Sequence, residues 1–204
     1  MLSERSDRPS APESPLAASV KIVVSGGFGV GKTTFIGAVS EIEPLVTEAA
    51  MTEYAIGVDD PGQHAGKTQT TVALDFGRIT LDSSLILYLF GTPGQDRFVF
   101  LWDDLVDGAL GAVIVVDTGR VEDCYPVLDY FEEHRTPFVV VVNRFEQGPV
   151  FDLAEVREAL GLEDWIPLLE CDARERGSVR DVLVALLEQV LAERARTPGV
   201  LAAM

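Results

Sequence analysis

The segment Gly26-Gly27-Phe28-Gly29-Val30-Gly31-Lys32-Thr33 follows the apolar run Val20 to Val24 and precedes Thr34-Phe35-Ile36, so a G-x-x-x-x-G-K-T sequence stands between a strand and a helix. Few sequences restrict a chain as much, because strand, tight turn and helix must follow one another with the turn's N–H groups converging. The glycines allow that turn, Lys32 reaches the β and γ phosphates of a nucleotide, and the Thr33 hydroxyl is a Mg²⁺ ligand. The segment, with Thr34 behind it, therefore implies a nucleoside triphosphate site.

From Val20 onward short apolar runs alternate with amphipathic stretches. Strands are expected at Val20 to Ser25, Val72 to Phe76, Leu85 to Phe90, Ala112 to Asp117, Phe138 to Asn143 and Pro167 to Glu170. Ala112 to Val116 and Phe138 to Val142 are apolar throughout, which suits strands covered by helices on both faces. Asp152 with Glu155, and Ser178 with Asp181, carry helix-start signals, and Val179 to Leu191 then presents one apolar face. The predicted architecture is a doubly wound α/β domain over residues 20–194, with a mostly parallel six-stranded sheet and helices on both faces. Residues 1–19, rich in Ser, Pro and charge, read as a flexible leader, and 195–204 as a flexible tail.

The formal net charge of −17 over 204 residues argues against a nucleic-acid partner, since phosphate backbones need clustered Lys and Arg. Cys124 and Cys171 stand in no metal or redox spacing and are expected to pack in the core. No run reaches the length of a membrane span and no C-terminal cysteine offers a lipid anchor, so direct membrane insertion is not expected.

In a doubly wound sheet the ligand crevice lies beyond the carboxyl ends of the strands. Four expected strands end in polar or glycine-rich sequence: the first in the phosphate loop, the third in Gly91-Thr92-Pro93-Gly94-Gln95, the fifth in Asn143-Arg144-Phe145-Glu146 and the sixth in Cys171-Asp172-Ala173-Arg174. This ordered set resembles the Ras-like small GTPases, in particular the bacterial branch that includes MglA-type polarity switches. The phosphate loop together with Phe90-Gly91-Thr92-Pro93-Gly94-Gln95 is similar to the GTP-binding proteins of bacterial conservon operons. The resemblance spans Val20 to Ala192 and implies GTP or GDP with Mg²⁺ as ligands.

Residue by residue, the resemblance makes Thr33 and Thr71 the Mg²⁺ ligands, with Thr70 as the alternative to Thr71 and an ordinary strand-start threonine as the other reading. Gly94 matches the switch II glycine that contacts the γ-phosphate. Gln95 matches the glutamine that orients attacking water; as a loop residue it is equally a solvated side chain. The implied catalytic set is Gln95, Lys32 and Thr71. Guanine recognition in the family uses Asn-Lys-x-Asp, whose carboxylate accepts from the base's N1–H and exocyclic amine, a pattern adenine cannot match. Here Asn143, Arg144 and Glu146 hold those positions, with Arg144 stacking on the purine or ribose and the Ala173 N–H meeting guanine O6 between Asp172 and Arg174. The other reading of Asn143 and Glu146 is a cap on the turn after their strand. Implied partners are a roadblock-domain regulator of the MglB type and a sensor-kinase-like membrane component, with a cytoplasmic location, at the inner membrane face through such partners.

Three departures bear on mechanism. Gly91 stands where the family has an aspartate that holds a Mg²⁺ water, and Asp117 is a candidate replacement. Phe28 replaces a glycine beside the path of a partner's arginine, and Thr70 replaces the arginine of MglA-type proteins, with Arg97 as an internal candidate. Since such an arginine contributes roughly 10³ to 10⁵ in rate, hydrolysis by the isolated chain is expected to be slow, as in a switch. The alternative is a nucleotide-binding scaffold with little or no hydrolysis. The segment Val99 to Leu110 is either a partner surface or a core-facing helix.

Overall fold

The computed structural model describes residues 17–43, 45–52, 69–146 and 148–196. Most of the expected leader and tail lies outside these residues. Strand β1 (Ala18–Ser25) leads through the glycine loop into α1 (Lys32–Val39), followed by β2 (Leu45–Thr52), β3 (Gln69–Thr80) and β4 (Leu85–Gly91). After a 3₁₀ turn over Asp96–Leu101 come α2 (Trp102–Val106), β5 (Gly111–Val116), α3 (Tyr125–Glu133), β6 (Phe138–Asn143), α4 (Leu153–Leu160), β7 (Leu168–Cys171) and α5 (Arg176–Arg196).

The sheet order is β2-β3-β4-β1-β5-β6-β7. β4, β1, β5, β6 and β7 run parallel, whereas β2–β3 and β3–β4 pair antiparallel. The sheet thus has seven strands rather than six. The added edge strand, Leu-Val-Thr-Glu-Ala-Ala-Met-Thr, holds alanines, a glutamate and a methionine, which favour helices over strands, so its strand state depends on pairing with β3.

The continuous apolar runs are explained by the two layers of helices. In β5, Val113 and Val115 face the core built with α1 and α5, whereas Ala112, Ile114 and Val116 face the core built with α2, α3 and α4. Each of the buried valines and the isoleucine contributes about 1.5–3 kcal/mol over its exposed state. At α4 the expected start holds: Asp152 Oδ1 accepts from Ala154 N at 2.7 Å and Glu155 Oε2 accepts from Asp152 N at 3.2 Å. At α5 it does not, since the helix begins at Arg176 and the Ser178 hydroxyl instead accepts from Asp172 N at 3.1 Å.

Both cysteines are buried and unbridged, and burial pushes the Cys124 thiol up to about 12. Neither is expected to react with a thiol reagent in the native protein, and both are expected to label on denaturation; a mass-spectrometric time course with and without denaturant checks this. Among the described residues no helix is long and apolar enough to cross a membrane.

Candidate functional site

The glycine loop leaves β1 at the centre of the sheet and is clamped from three sides. Gly26 has φ 139, and a Cβ there would lie 2.3 Å from the Val115 carbonyl oxygen, so the close approach to β5 requires glycine. Gly31, at φ 106, caps α1, and a Cβ on it would meet Asn143 Nδ2 at 2.4 Å. Lys32 is 8% exposed, and its ammonium donates to the carbonyls of Gly26 at 2.8 Å and Gly27 at 2.6 Å. Desolvation lowers its pKa to about 8, against the opposing attraction of Asp75. A buried cation whose hydrogen bonds among the described residues go to carbonyls gains from any anion brought to the loop. At the loop's tip Phe28 is 63% exposed, and its carbonyl accepts from Arg120 Nη2 at 2.9 Å.

The carboxylate missing at Gly91 is present one strand away. β3 and β4 pair through Phe76 and Phe90, so the antiparallel register sets Asp75 across from Gly91, on the same sheet face. A Cβ on Gly91 would lie 2.9 Å from Asp75 Cβ and 3.2 Å from its Oδ2, so Asp75 fills the space that an aspartate at 91 would need. Its Oδ2 accepts from the Thr33 hydroxyl at 2.7 Å. A hydroxyl and a carboxylate side by side at the start of α1 are hard oxygen donors that suit Mg²⁺. Among the described residues no group of three His, Cys, Asp or Glu could hold a metal, so any ion here relies on phosphate oxygens as well.

The expectation for Asp117 is corrected: its carboxylate accepts from Gly119 N at 2.9 Å and pairs with Arg120 at 3.3 Å, so it serves its own turn. Thr70 and Thr71 belong to β3, but their side chains, like that of Arg97, lie outside the described residues.

After β4, the Thr92 hydroxyl bonds the Ser25 hydroxyl at 2.8 Å in a buried pair, which ties this loop to the end of β1. Gly94 then lies against the phosphate loop, since a Cβ on it would meet the Gly27 carbonyl oxygen and Lys32 Nζ, each at 2.6 Å. Gln95 is half-buried and lines one cleft with Gly27, Phe28 and Gly94, which Glu122 and Asp123 also border. The next segment divides between its two readings. Trp102 is 4% exposed, donates to the Pro93 carbonyl at 3.3 Å and meets Tyr130 edge-on, and Phe98 and Val106 are buried with it. Val99 and Phe100 remain exposed. The turn-by-turn spacing of Phe98, Trp102 and Val106, rather than that of Leu101, Leu105 and Ala109, marks the inward face.

On the far side of the loop lies a cleft of about 380 Å³, to which Gly29, Gly31, Thr34, Asn143, Arg144, Glu146, Asp172, Ala173 and Arg174 all contribute. Its hub is the buried Asn143, whose Nδ2 donates to the Val30 carbonyl at 2.9 Å while its Oδ1 accepts from Ala173 N at 3.1 Å. One side chain thus joins the phosphate loop, the end of β6 and the end of β7. The Ala173 N–H, expected to face a base, is bonded to Asn143 here. Arg144 is ion-paired with Glu170 at the cleft wall. Arg174 pairs with both Asp172, at 2.8 Å, and Glu146, at 2.5 Å.

Sequence reasoning therefore located four of the segments that meet here and missed Asp75 and Arg120. The signal for Asp75 was an acid inside the strand run Thr71-Val72-Ala73-Leu74-Asp75-Phe76. Arg120 carries no such mark.

Comparison with known proteins agrees with this layout. A family model described as "conserved hypothetical ATP binding protein" matches residues 24–193. The uncharacterized protein MJ1339 of Methanocaldococcus jannaschii is 30% identical over 139 residues, which cover 67% of this chain and 77% of that protein. The Ras-related protein SEC4 of Saccharomyces cerevisiae is 26% identical over 130 residues, 59% of this chain and 60% of the relative. The GTP-binding protein YPTM1 of Zea mays is 27% identical over 142 residues, 65% of this chain and 68% of the relative. Among solved structures, the G domain of the T. maritima FeoB iron transporter superposes with a TM-score of 0.55 at 20% identity, covering 86% of this chain and 98% of that one. The chain belongs to the family described as conserved hypothetical ATP binding proteins, and its fold is that of the G domains of P-loop GTPases.

Proposed function

We propose that this protein is a guanine-nucleotide switch that binds GTP or GDP with Mg²⁺ and hydrolyses GTP slowly. The observation that carries the reading is the Asn143 junction, which ties the phosphate loop at Val30 to Ala173 and so sets Glu146 at the mouth of the cleft beside the loop. A carboxylate there accepts two hydrogen bonds from the N1–H and exocyclic amine of guanine. Adenine offers an acceptor at N1, which would meet that carboxylate as a repulsive pair. The family's description speaks of ATP, whereas SEC4 is named a Ras-related protein and YPTM1 a GTP-binding protein. The acceptor chemistry of Glu146 favours guanine for this chain.

Within this reading Lys32 and the loop N–H groups hold the phosphates, Thr33 and Asp75 would hold Mg²⁺, and the resemblance adds Thr71 as a further ligand. The ion, when bound, neutralises charge on the phosphates. Gln95 orients water beside Gly94 in the cleft at the loop tip. Arg120, which reaches the loop tip, is engaged with Asp117, Asp123 and the Phe28 carbonyl, and this supports slow cleavage. The likeness to MglA-type and conservon proteins adds a roadblock-domain regulator, a sensor-kinase-like component and a cytoplasmic location to the proposal. The exposed Phe28 and Phe100, at 63% and 54%, give such a regulator apolar contacts.

The test is a set of affinities for GDP, GTP and ADP with and without Mg²⁺, followed by single-turnover cleavage of GTP. Guanine nucleotides are expected to bind more tightly than ADP, Mg²⁺ to strengthen binding, and Gln95→Leu to slow cleavage. Equal affinity for ADP and GDP would sink the guanine reading, and cleavage indifferent to Gln95→Leu would remove that residue's role.

A further inference from the structure

Glu146 is one methylene longer than the aspartate expected at its position, and its side chain is 77% exposed. Left alone, such a side chain samples several rotamers, and an acceptor pair that wanders discriminates poorly between bases. It is not left alone. Arg174 Nη1 donates to Glu146 Oε1 at 2.5 Å, while Nε and Nη2 of the same guanidinium grip Asp172 Oδ1 at 2.9 Å and Oδ2 at 2.8 Å. That second contact is the two-pronged arginine–carboxylate geometry, which fixes orientation as well as distance.

Asp172 is itself anchored. Its Oδ1 accepts from Arg174 N at 3.0 Å, and its own N–H donates to the Ser178 hydroxyl of α5 at 3.1 Å. Hydrogen bonds from Arg174 hold the Asp172 carboxyl well below its ordinary range, at about 2. A chain of contacts therefore runs from α5 through Asp172 and Arg174 to Glu146. Asp172 and Glu146 would repel each other at the cleft mouth, and the guanidinium between them converts that repulsion into a bridge.

We propose that Arg174 is a positioning residue for base recognition: it holds Glu146 against Asp172, so that the selectivity of this chain among purines depends on a carboxylate–arginine–carboxylate relay. The inference rests on the guanine reading given above. A carboxylate has about four lone-pair sites, and one bond from Arg174 to Oε1 leaves room for both guanine donors. The arginine orients Glu146 without saturating it.

The experiment compares the affinities of GDP, inosine diphosphate and ADP for the 204-residue protein and for its Arg174→Met and Arg174→Lys variants. Inosine diphosphate lacks only the exocyclic amine, so its ratio to GDP reads the second hydrogen bond to Glu146. Changes in fold stability or phosphate grip move all three ligands together and cancel in the ratio. The GDP preference over inosine diphosphate is expected to fall about five- to ten-fold in Arg174→Met, the loss of one charge-assisted orienting bond. Arg174→Lys is expected to fall between, because a point charge reaches one carboxylate at a time. A ratio that is unchanged or rises in Arg174→Met overturns the proposal. If the wild-type protein already binds ADP as tightly as GDP, the guanine reading itself has failed. A wild-type preference for guanine that passes undiminished into Arg174→Met defeats the relay alone.

Discussion

Gly91→Asp, which restores the residue usual in Ras-like switches, is expected to destabilise this protein by about 1–3 kcal/mol and to abolish Mg²⁺-dependent nucleotide retention. The new Cβ would stand 2.9 Å from Asp75 Cβ and 3.3 Å from Ile36 Cδ1. Asp75 Cβ is fixed to the β3 backbone and cannot swing aside like the end of a long side chain. The two carboxylates would then compete for the Thr33 hydroxyl in a partly desolvated space, where like charges cost most. The double variant Asp75→Gly with Gly91→Asp exchanges the carboxylate between strands and is expected to recover most of the lost stability and retention. Asp75→Asn alone keeps the shape, and is expected to weaken Mg²⁺-dependent retention by roughly 10- to 100-fold while melting near the wild-type temperature. Thermal melts and nucleotide release with and without chelator measure all three. A Gly91→Asp protein that melts and retains nucleotide like the wild type would show that Asp75 and Gly91 are not alternatives.

Asn143→Ala is expected to cost about 2–4 kcal/mol, because the buried Val30 carbonyl and Ala173 N–H each lose their partner. Affinity for nucleotide should fall more than the stability loss alone predicts, since the phosphate loop and the β7 loop lose their shared tether. Asn143→Asp separates the two effects: its carboxylate still accepts from Ala173 N but faces the Val30 carbonyl with no donor. It is expected to be no better than alanine in affinity. A melting curve and a GDP titration for both variants decide the matter; undiminished GDP affinity in Asn143→Ala would remove Asn143 from the role of hub.

Much of this site could be read in the sequence because its parts end strands, and apolar runs mark strands clearly. β6 lies where it was expected, at Phe138–Asn143, and so its motif begins on the last residue of a strand. What escaped was set by pairing between strands. β2 has no strand-like composition, and the role of Asp75 emerges only when the antiparallel register sets it across from Gly91. The choice of Asp117 as a substitute followed from its place at a neighbouring strand end. Sequence gave no means of seeing that the adjacent Arg120 and Gly119 would occupy its carboxylate. Trp102 was ambiguous because a 3₁₀ turn precedes α2 and offsets the helical periodicity by which inward residues are recognised.

The bond from Asn143 to Val30 joins residues 113 positions apart. A loop of that size is slow to close, and it cannot hold until β1, β5 and β6 already lie side by side. Partly folded chains in which the last parallel strands have not docked therefore own a glycine loop but no pocket, and bind weakly if at all. Ligand at about 100 times its Kd would stabilise the finished chain over all such species by about 2.7 kcal/mol. Under that condition nucleotide would act as a folding ligand, keeping the chain in its finished form and out of reach of proteases.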